Sequence, residues 1–505
     1  MRPPGMLLTA PASGSGKTLI TCGILQALVN RGLKIASFKC GPDYIDPMFH
    51  GKVIGVKSRN LDTFFTDADT ARYLYAKNTS GFDGAVVEGV MGYYDGLGGI
   101  RTEGSTYDVA RTLDLPAVLV INGRGASLSV VAMIKGFLEY RQDSHICGVI
   151  LNQVSPMISR QLKDLIEQEL KIRVYGYVPK MTELSLDSRH LGLVLPGEIK
   201  ELKEKLNHLA EELEKTLDLD GMLHFSREYE GRSGKIFQEN GKSAGTGEEK
   251  ACTARIREEI RALSFPEKVR IAVAEDDAFC FTYLDNLELL EELGAELVPF
   301  SPTEDAELPR NVSGLILSGG YPELHAEALS KNQSMRTAIR SAVEGGMPCI
   351  AECGGFLYLH RELEGADGKL WPMAGVLDAK AYRTKRLSRF GYITLEAKEN
   401  QLLGKTGDRI RGHEFHYWDS ESCGESFHAE KPAGSREWDC VHGTQMLYAG
   451  FPHLFYYSNL YVPHRFLKAC RKYKESGDIC EADDKREPRI RSEKYIREDE
   501  HICLY

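Results

Sequence analysis

Residues 7–18, LLTAPASGSGKT, hold the first side chains able to do chemistry. Ser13, Gly14, Ser15 and Gly16 form a small-residue loop between an apolar run and an apolar-periodic segment. Backbone N–H groups of such a loop converge on phosphates, and the following helix N-terminus adds partial positive charge. Lys17 is placed to reach the outer phosphates, and the Thr18 hydroxyl to ligate Mg²⁺. Pro11 stands where the motif G-x-x-x-x-G-K-[ST] has its first glycine. A second group lies in KCGPDYIDP, residues 39–47. There Asp43 and Asp46 either bind Mg²⁺ or a polar substrate, or cap a Pro-bounded turn. Glu88 ends an apolar run and opens VEGVMGYYDG. A carboxylate buried there needs a cation or hydrogen-bond donors, and Mg²⁺ on ATP is one such cation. Asn152, after another apolar run, offers an amide either to an adenine edge or to a turn.

Cys353 carries the second kind of chemistry. It sits in AECGG between the apolar run 348–351 and a helical segment from Phe356. A cysteine on such a strand-to-helix turn resembles a nucleophile elbow, with the helix N-terminus expected to lower the thiol pKa. Gly319, Gly320 and Gly354 are placed to supply N–H donors for an oxyanion. The late histidine His464 is the expected general base, with His413 and His416 as competitors. The basic run Lys380, Arg383, Lys385, Arg386 and Arg389 either holds an acidic substrate or is a solvated face.

The elements that position these groups follow from the pattern. Short apolar strands at 7–10, 33–38, 84–87, 117–121 and 146–151 alternate with helical stretches. The alternation predicts a doubly wound, mainly parallel α/β sheet, with ligands at the strand carboxyl ends. The strand pattern restarts at 269 and predicts a second α/β domain. Between them, residues 226–268 are polar and glycine-rich and read as a partly disordered linker. The expected organisation is therefore 1–225, the linker, 269–470 and a charged tail over 471–505.

A 42% hydrophobic share supplies core for such domains. The net charge of −10 gives nothing global to attract nucleic acid or an anionic membrane. No run is apolar and long enough to span a bilayer, and no signal-like segment opens the chain. Twelve cysteines without Cys-x-x-Cys spacing argue against a disulfide framework or zinc site and fit a reducing cytoplasm.

The motifs APASGSGKT, KCGPDYIDP, SRNLD (58–62), VEGVMG…YDG, SRHLGL (188–193), LSGGYPE, AECGGFLYL and RGHEFHY, then the late histidine, occur in this order. Over roughly residues 1–470 the chain resembles the cobyrinic acid a,c-diamide synthase family of cobalamin synthesis. That family joins a dethiobiotin-synthetase-like P-loop amidoligase to a class I-type glutaminase. The resemblance implies ATP- and Mg²⁺-dependent amidation of tetrapyrrole carboxylates with ammonia taken from L-glutamine. It places ATP and metal on Lys17, Thr18, Asp43 and Glu88, and Tyr44, Asp46 and Asp95 on the substrate side. A homodimer is compatible with it, and no nucleic-acid or membrane partner is implied. Class I glutaminases usually carry a glutamate two residues after the histidine. Phe466 stands there, so a Cys–His pair acts alone or another group orients the imidazole. Ni-sirohydrochlorin a,c-diamide synthase is the close alternative. Cobyric acid synthase has a different P-loop. A P-loop partitioning or regulatory protein usually has lysine where this chain has Ala12, and leaves the Cys353 turn without a purpose.

Overall fold

The apolar run that opens the chain forms β1, Gly5–Thr9, buried at every residue. A strand covered on both faces has no solvent side, so its sequence runs continuously apolar rather than alternating. The computed structural model describes residues 3–181, 196–239, 246–387 and 389–476. The SRHLGL segment and residues 477–505 of the expected tail lie outside the described residues.

Six further strands join β1: β2 (Ile35–Cys40), β3 (Ser58–Leu61), β4 (Gly84–Glu88), β5 (Ala117–Asn122), β6 (Ile146–Asn152) and β7 (Arg173–Val178). The sheet order is β3-β2-β4-β1-β5-β6-β7, and every pairing is parallel. The loops after β1, β2, β4 and β6 therefore open on one edge. Helix Lys17–Asn30 leaves the first of these loops and packs under helix Pro196–Thr216. A Cβ on Gly23 would press into Leu209 and Leu213, so glycine sets how closely the two helices approach. Arg31 holds the same pair together with a two-pronged contact to Glu214 at 2.7 and 2.6 Å.

Residues 226–268 are not a disordered linker where described. Helices Leu219–Glu239 and Thr246–Leu263 occupy most of this stretch. Ile256 and Ile260 of the second helix join the cluster that holds Tyr73 and Leu74, and Arg255 reaches Asp69 at 3.0 Å. Its polar composition reflects one solvated face, while an i, i+4 apolar pair is enough to dock it.

The second domain is built on β8 (Val269–Ala274), β9 (Ala295–Phe300), β10 (Leu315–Leu317) and β11 (Cys349–Glu352). Strand Leu447–Gly450 pairs parallel with β11, and the order runs from that strand through β11, β10 and β8 to β9. Two further sheets of four and five strands are inserted after β11. One contains the antiparallel pair Arg389–Ala397 and Arg409–His416, and strand His453–Leu454 closes its edge. The expected tail begins too early, since residues 471–475 belong to helix Tyr461–Glu475.

The two domains share one apolar cluster. Tyr44, Phe64 and Phe65 from the first pack with Tyr283, Ile393 and Phe455 from the second. Arg59, 7% exposed, bonds to Glu288 and faces Asp285 at 3.5 Å. Tyr392 donates to Asp62 at 2.6 Å, and Arg411 to the Phe64 carbonyl at 2.6 Å. The SRNLD motif is thus a docking edge as well as a strand.

Candidate functional site

At the first sheet's edge the loop 13–16 turns through left-handed backbone at Gly14 and Gly16, with φ of 77° and 91°. Gly16 caps helix Lys17–Asn30. Lys17 Nζ donates to the Met91 carbonyl, which ties the phosphate loop to the loop after β4. Thr18 Oγ1 donates to Glu88 Oε1 at 2.6 Å. Thr18 and Glu88 were expected to act together, and they adjoin.

Lys39 was missed by the sequence reading, although it opens the KCGPDYIDP motif. Its ammonium reaches Glu88 at 2.7 Å, bonds to Asp46 and lies 4.0 Å from Asp43. Burial works against that charge, yet Glu88, Asp46 and Asp43 together hold Lys39 above its usual range. Glu88 is fully buried, and burial pushes it up to about 7 against the pull of Lys39. Its Oε2 has no hydrogen-bond partner. Asp43 spends Oδ1 on the N–H groups of Ile45 and Asp46 at 2.8 and 3.2 Å. The cap and the charge cluster, which the sequence left as alternatives, coexist here. Asp95 accepts from the Gly92 N–H at 3.0 Å and shapes the loop after β4. Asn152 donates to the Ser15 carbonyl at 2.8 Å and is 6% exposed. It braces the phosphate loop rather than presenting its amide to a base.

The fit to Mg²⁺ rests on Thr18 and the orphaned Glu88 Oε2, both hard oxygen donors beside the phosphate loop. Burial, then Lys39, drags the Lys17 ammonium down to about 8. A bound polyphosphate would restore its charge, so ATP binding is expected to take up protons. At pH 8, with magnesium withheld, uptake should approach about half a proton for a group titrating there. Calorimetric binding enthalpies in two buffers of different ionisation heat measure this number. A value of zero would mean that Lys17 does not meet the phosphates.

The second site lies at the carboxyl end of β11. Cys353 takes φ 47° and ψ −98° before helix Gly354–Leu359, a strained turn of the kind that displays a nucleophile. A Cβ on Gly354 would lie 2.8 Å from the Gly320 nitrogen, so the LSGGYPE loop abuts the elbow. The thiol, however, is not lowered. Burial pushes it up, and Glu323, Glu414 and Glu352 add to the effect. The helix has six residues and is outweighed. A base must therefore take the proton.

That base is not His464 in this arrangement. Its Nδ1 bonds to the Leu263 carbonyl at 2.8 Å, and its ring stacks on Phe265 at 4.9 Å. Phe265 adjoins Leu293 and Gly294, which lead into the amino end of β9. Cys353 follows the carboxyl end of β11, parallel in the same sheet, so the two residues belong to opposite ends.

His453 lies at the elbow's end of the sheet instead. A Cβ on Gly319 would collide with its ring, and the Cys353 N–H bonds to Gly450 at 2.8 Å. Its Nδ1 lies 3.8 Å from Glu352 Oε2. His413 stacks on it at 5.0 Å, and His413 itself is tied to the Tyr283 hydroxyl at 3.2 Å. The available signal was GFPH directly after the apolar run 447–450.

Tyr44, expected on the substrate side, turns its ring into this second site. It stacks on Phe281 at 5.2 Å and lies 5.2 Å from His453. Beside the elbow, Glu414 is fully buried with both oxygens lacking hydrogen-bond partners. Arg389 faces it at 3.9 Å and His416 at 3.6 Å. Arg389 Nη1, Trp438 Nε1 and His416 Nε2 are unpartnered too. Of the basic run, Arg389 faces this pocket, opposite an acid.

Two family descriptions match the chain: the CobQ/CobB/MinD/ParA nucleotide binding domain over residues 6–194, and the CobB/CobQ-like glutamine amidotransferase domain over 270–456. The second includes His453 and stops short of His464. A cobyrinate a,c-diamide synthase of Caldanaerobacter subterraneus subsp. tengcongensis is 37% identical over 92% of this chain and 98% of its own length. Another of Listeria monocytogenes serotype 4b is 38% identical over 90% and 97%. One of Picrophilus torridus is 36% identical over 93% and 99%. With a phosphate loop, a cysteine elbow and near end-to-end similarity, the chain belongs to the cobyrinate a,c-diamide synthase family of glutamine-hydrolysing carbon–nitrogen ligases.

Proposed function

We propose that this protein amidates the a and c acetate carboxylates of cobyrinate, using ATP and ammonia released from glutamine, in cobalamin biosynthesis. The observation that carries the reading is the meeting of two chemistries at one interface. The loop bearing Asp43 and Asp46 also carries Tyr44 into the cysteine site.

In the first site a substrate carboxylate attacks the γ-phosphorus of ATP, the bond to the β,γ-bridging oxygen breaks, ADP departs and an acyl phosphate is left. Lys17 balances charge on the transferred phosphoryl, and the loop N–H groups hold the rest. Thr18 and Glu88 would hold Mg²⁺, which would offset negative charge on the phosphates. Lys39 keeps Glu88 and Asp46 in place between nucleotide and acceptor. The acyl phosphate is then open to ammonia, which displaces phosphate and leaves the amide.

In the second site His453 Nε2 takes the Cys353 proton, and the sulfur attacks the glutamine side-chain amide. N–H groups of Gly319, Gly320 and Gly354 face the oxyanion. The imidazolium returns its proton to the leaving nitrogen, and water clears the thioester. Glu414 and Arg389 offer opposite charges to the ammonium and carboxylate of the amino acid. A cavity of about 20 Å³ between Phe281, Tyr283, Ser318 and Glu352 has room for one molecule the size of water or ammonia.

The test offers cobyrinate and Ni-sirohydrochlorin separately, with ATP, Mg²⁺ and glutamine, and counts amides by mass spectrometry. Diamide from cobyrinate is the expected result. Diamide from Ni-sirohydrochlorin alone would move the protein to that reaction, and no amide on either would end the reading.

A further inference from the structure

The position two residues after the proposed base carries no acid in this chain. Phe455 stands two residues beyond His453, and it packs on Phe65 at 5.2 Å. Yet an imidazole that accepts a thiol proton on one nitrogen gains from an acceptor on the other, which fixes ring and tautomer and faces the new charge.

Resting on the glutaminase reading above, we propose that Glu352 is the positioning residue for His453. It is supplied from the residue before the nucleophile rather than from beyond the histidine. Glu352 ends β11, and its carboxylate touches the His453–Leu454 strand at two points. Oε1 accepts the Leu454 N–H at 3.3 Å, and Oε2 faces His453 Nδ1 at 3.8 Å. His453 is 2% exposed and Nδ1 has no hydrogen-bond partner. Among the described residues no other carboxylate lies within 4.0 Å of that ring. The 3.8 Å separation is loose, as is common before substrate tightens a catalytic contact.

Among the described residues Glu352 has no other ion-pair partner. The titratable groups facing it are Cys353, His453 and the hydroxyls of Tyr44, Tyr283, Tyr448 and Tyr456. His453 is faced in turn by Tyr44, His413 and His416, and Cys353 by Glu323 and Glu414. Burial pushes Glu352 up to about 8 and pulls His453 down to about 3. Burial opposes each charge taken alone, and a carboxylate facing the imidazolium would offset part of both costs. The proton count closes: the thiol proton moves from Sγ to Nε2, while Nδ1–H stays directed at Glu352. The C–N bond of the glutamine amide then breaks as Nε2–H passes to the departing ammonia.

Glu352→Gln keeps the size and an acceptor oxygen but removes the charge. It is expected to lower kcat for glutamine hydrolysis by about 10²–10⁴-fold, with KM for glutamine within about threefold of wild type. Inactivation by 6-diazo-5-oxo-L-norleucine reads thiol activation apart from amidation. Its rising pH limb is expected to move up by at least about one unit. Glu352→Asp should recover part of the rate, and amidation driven by ammonium should persist in both variants. A Glu352→Gln enzyme with wild-type kcat and pH limb would overturn the proposal. If that variant also loses the ammonium reaction, Glu352→Asp decides: recovery supports the role and failure to recover overturns it. Wild-type protein inert to both glutamine and the diazo analogue would instead overturn the glutaminase reading, and this role with it.

Discussion

Cys353→Ala is expected to lose glutamine-driven diamide formation by several orders of magnitude, roughly 10⁴-fold or more, while still amidating the macrocycle when given ammonium. A thiolate has no part in phosphoryl transfer or in the attack of ammonia on an acyl phosphate. The buried thiol, pushed up by its surroundings, has no nucleophilic form without a base. His453→Ala should therefore match Cys353→Ala with both nitrogen sources. His464→Ala should keep glutamine hydrolysis, because its ring is committed to Leu263 and Phe265. Amide counts with glutamine and with ammonium at mildly alkaline pH check all three variants. A folded Cys353→Ala protein inactive with ammonium would place the cysteine in the ligase step and end the two-site account.

Lys17→Ala should show the opposite pattern. Amidation is expected to fall at least about 10²–10³-fold with either nitrogen source, since charge developing on the phosphoryl loses its fixed cation. Cys353 should remain open to the diazo analogue, being held by a different sheet. Near-normal turnover of Lys17→Ala would remove the phosphate role from the loop at 13–18.

The phosphate loop and the elbow were legible because each is a local device. LLTAPASGSGKT and AECGG each contain the strand end, the turn and the helix start in one short stretch. The proposed base was not legible, because pairing rather than spacing brings it in. His453 faces its neighbour through the register His413↔His453, where the strand His453–Leu454, after Leu447–Gly450, joins the edge of the inserted sheet. Fourteen histidines were available, and the late position of His464 made it the expected base. Lys39 was passed over because the expected strand stops at 38 and leaves it at the head of a loop, whereas β2 runs to Cys40 and buries it. Only the three carboxylates around it show why it is there. The stretch 226–268 was misread because composition averages over both faces of a helix. Two residues, Ile256 and Ile260, are enough to seat it.

The aromatic layer between the domains has a consequence for synthesis on the ribosome. Tyr44, Phe64, Phe65 and Tyr73 are complete early in translation, but their cover comes from residues 256–457. A nascent first half presents these rings, and the unmatched Arg59, to water until most of the chain has emerged. Such surface invites chaperones or premature association. The same geometry limits gene fission and exchange of halves between relatives. A transplanted half keeps its own chemistry, but it folds against its new neighbour only if the layer of rings is transplanted with it.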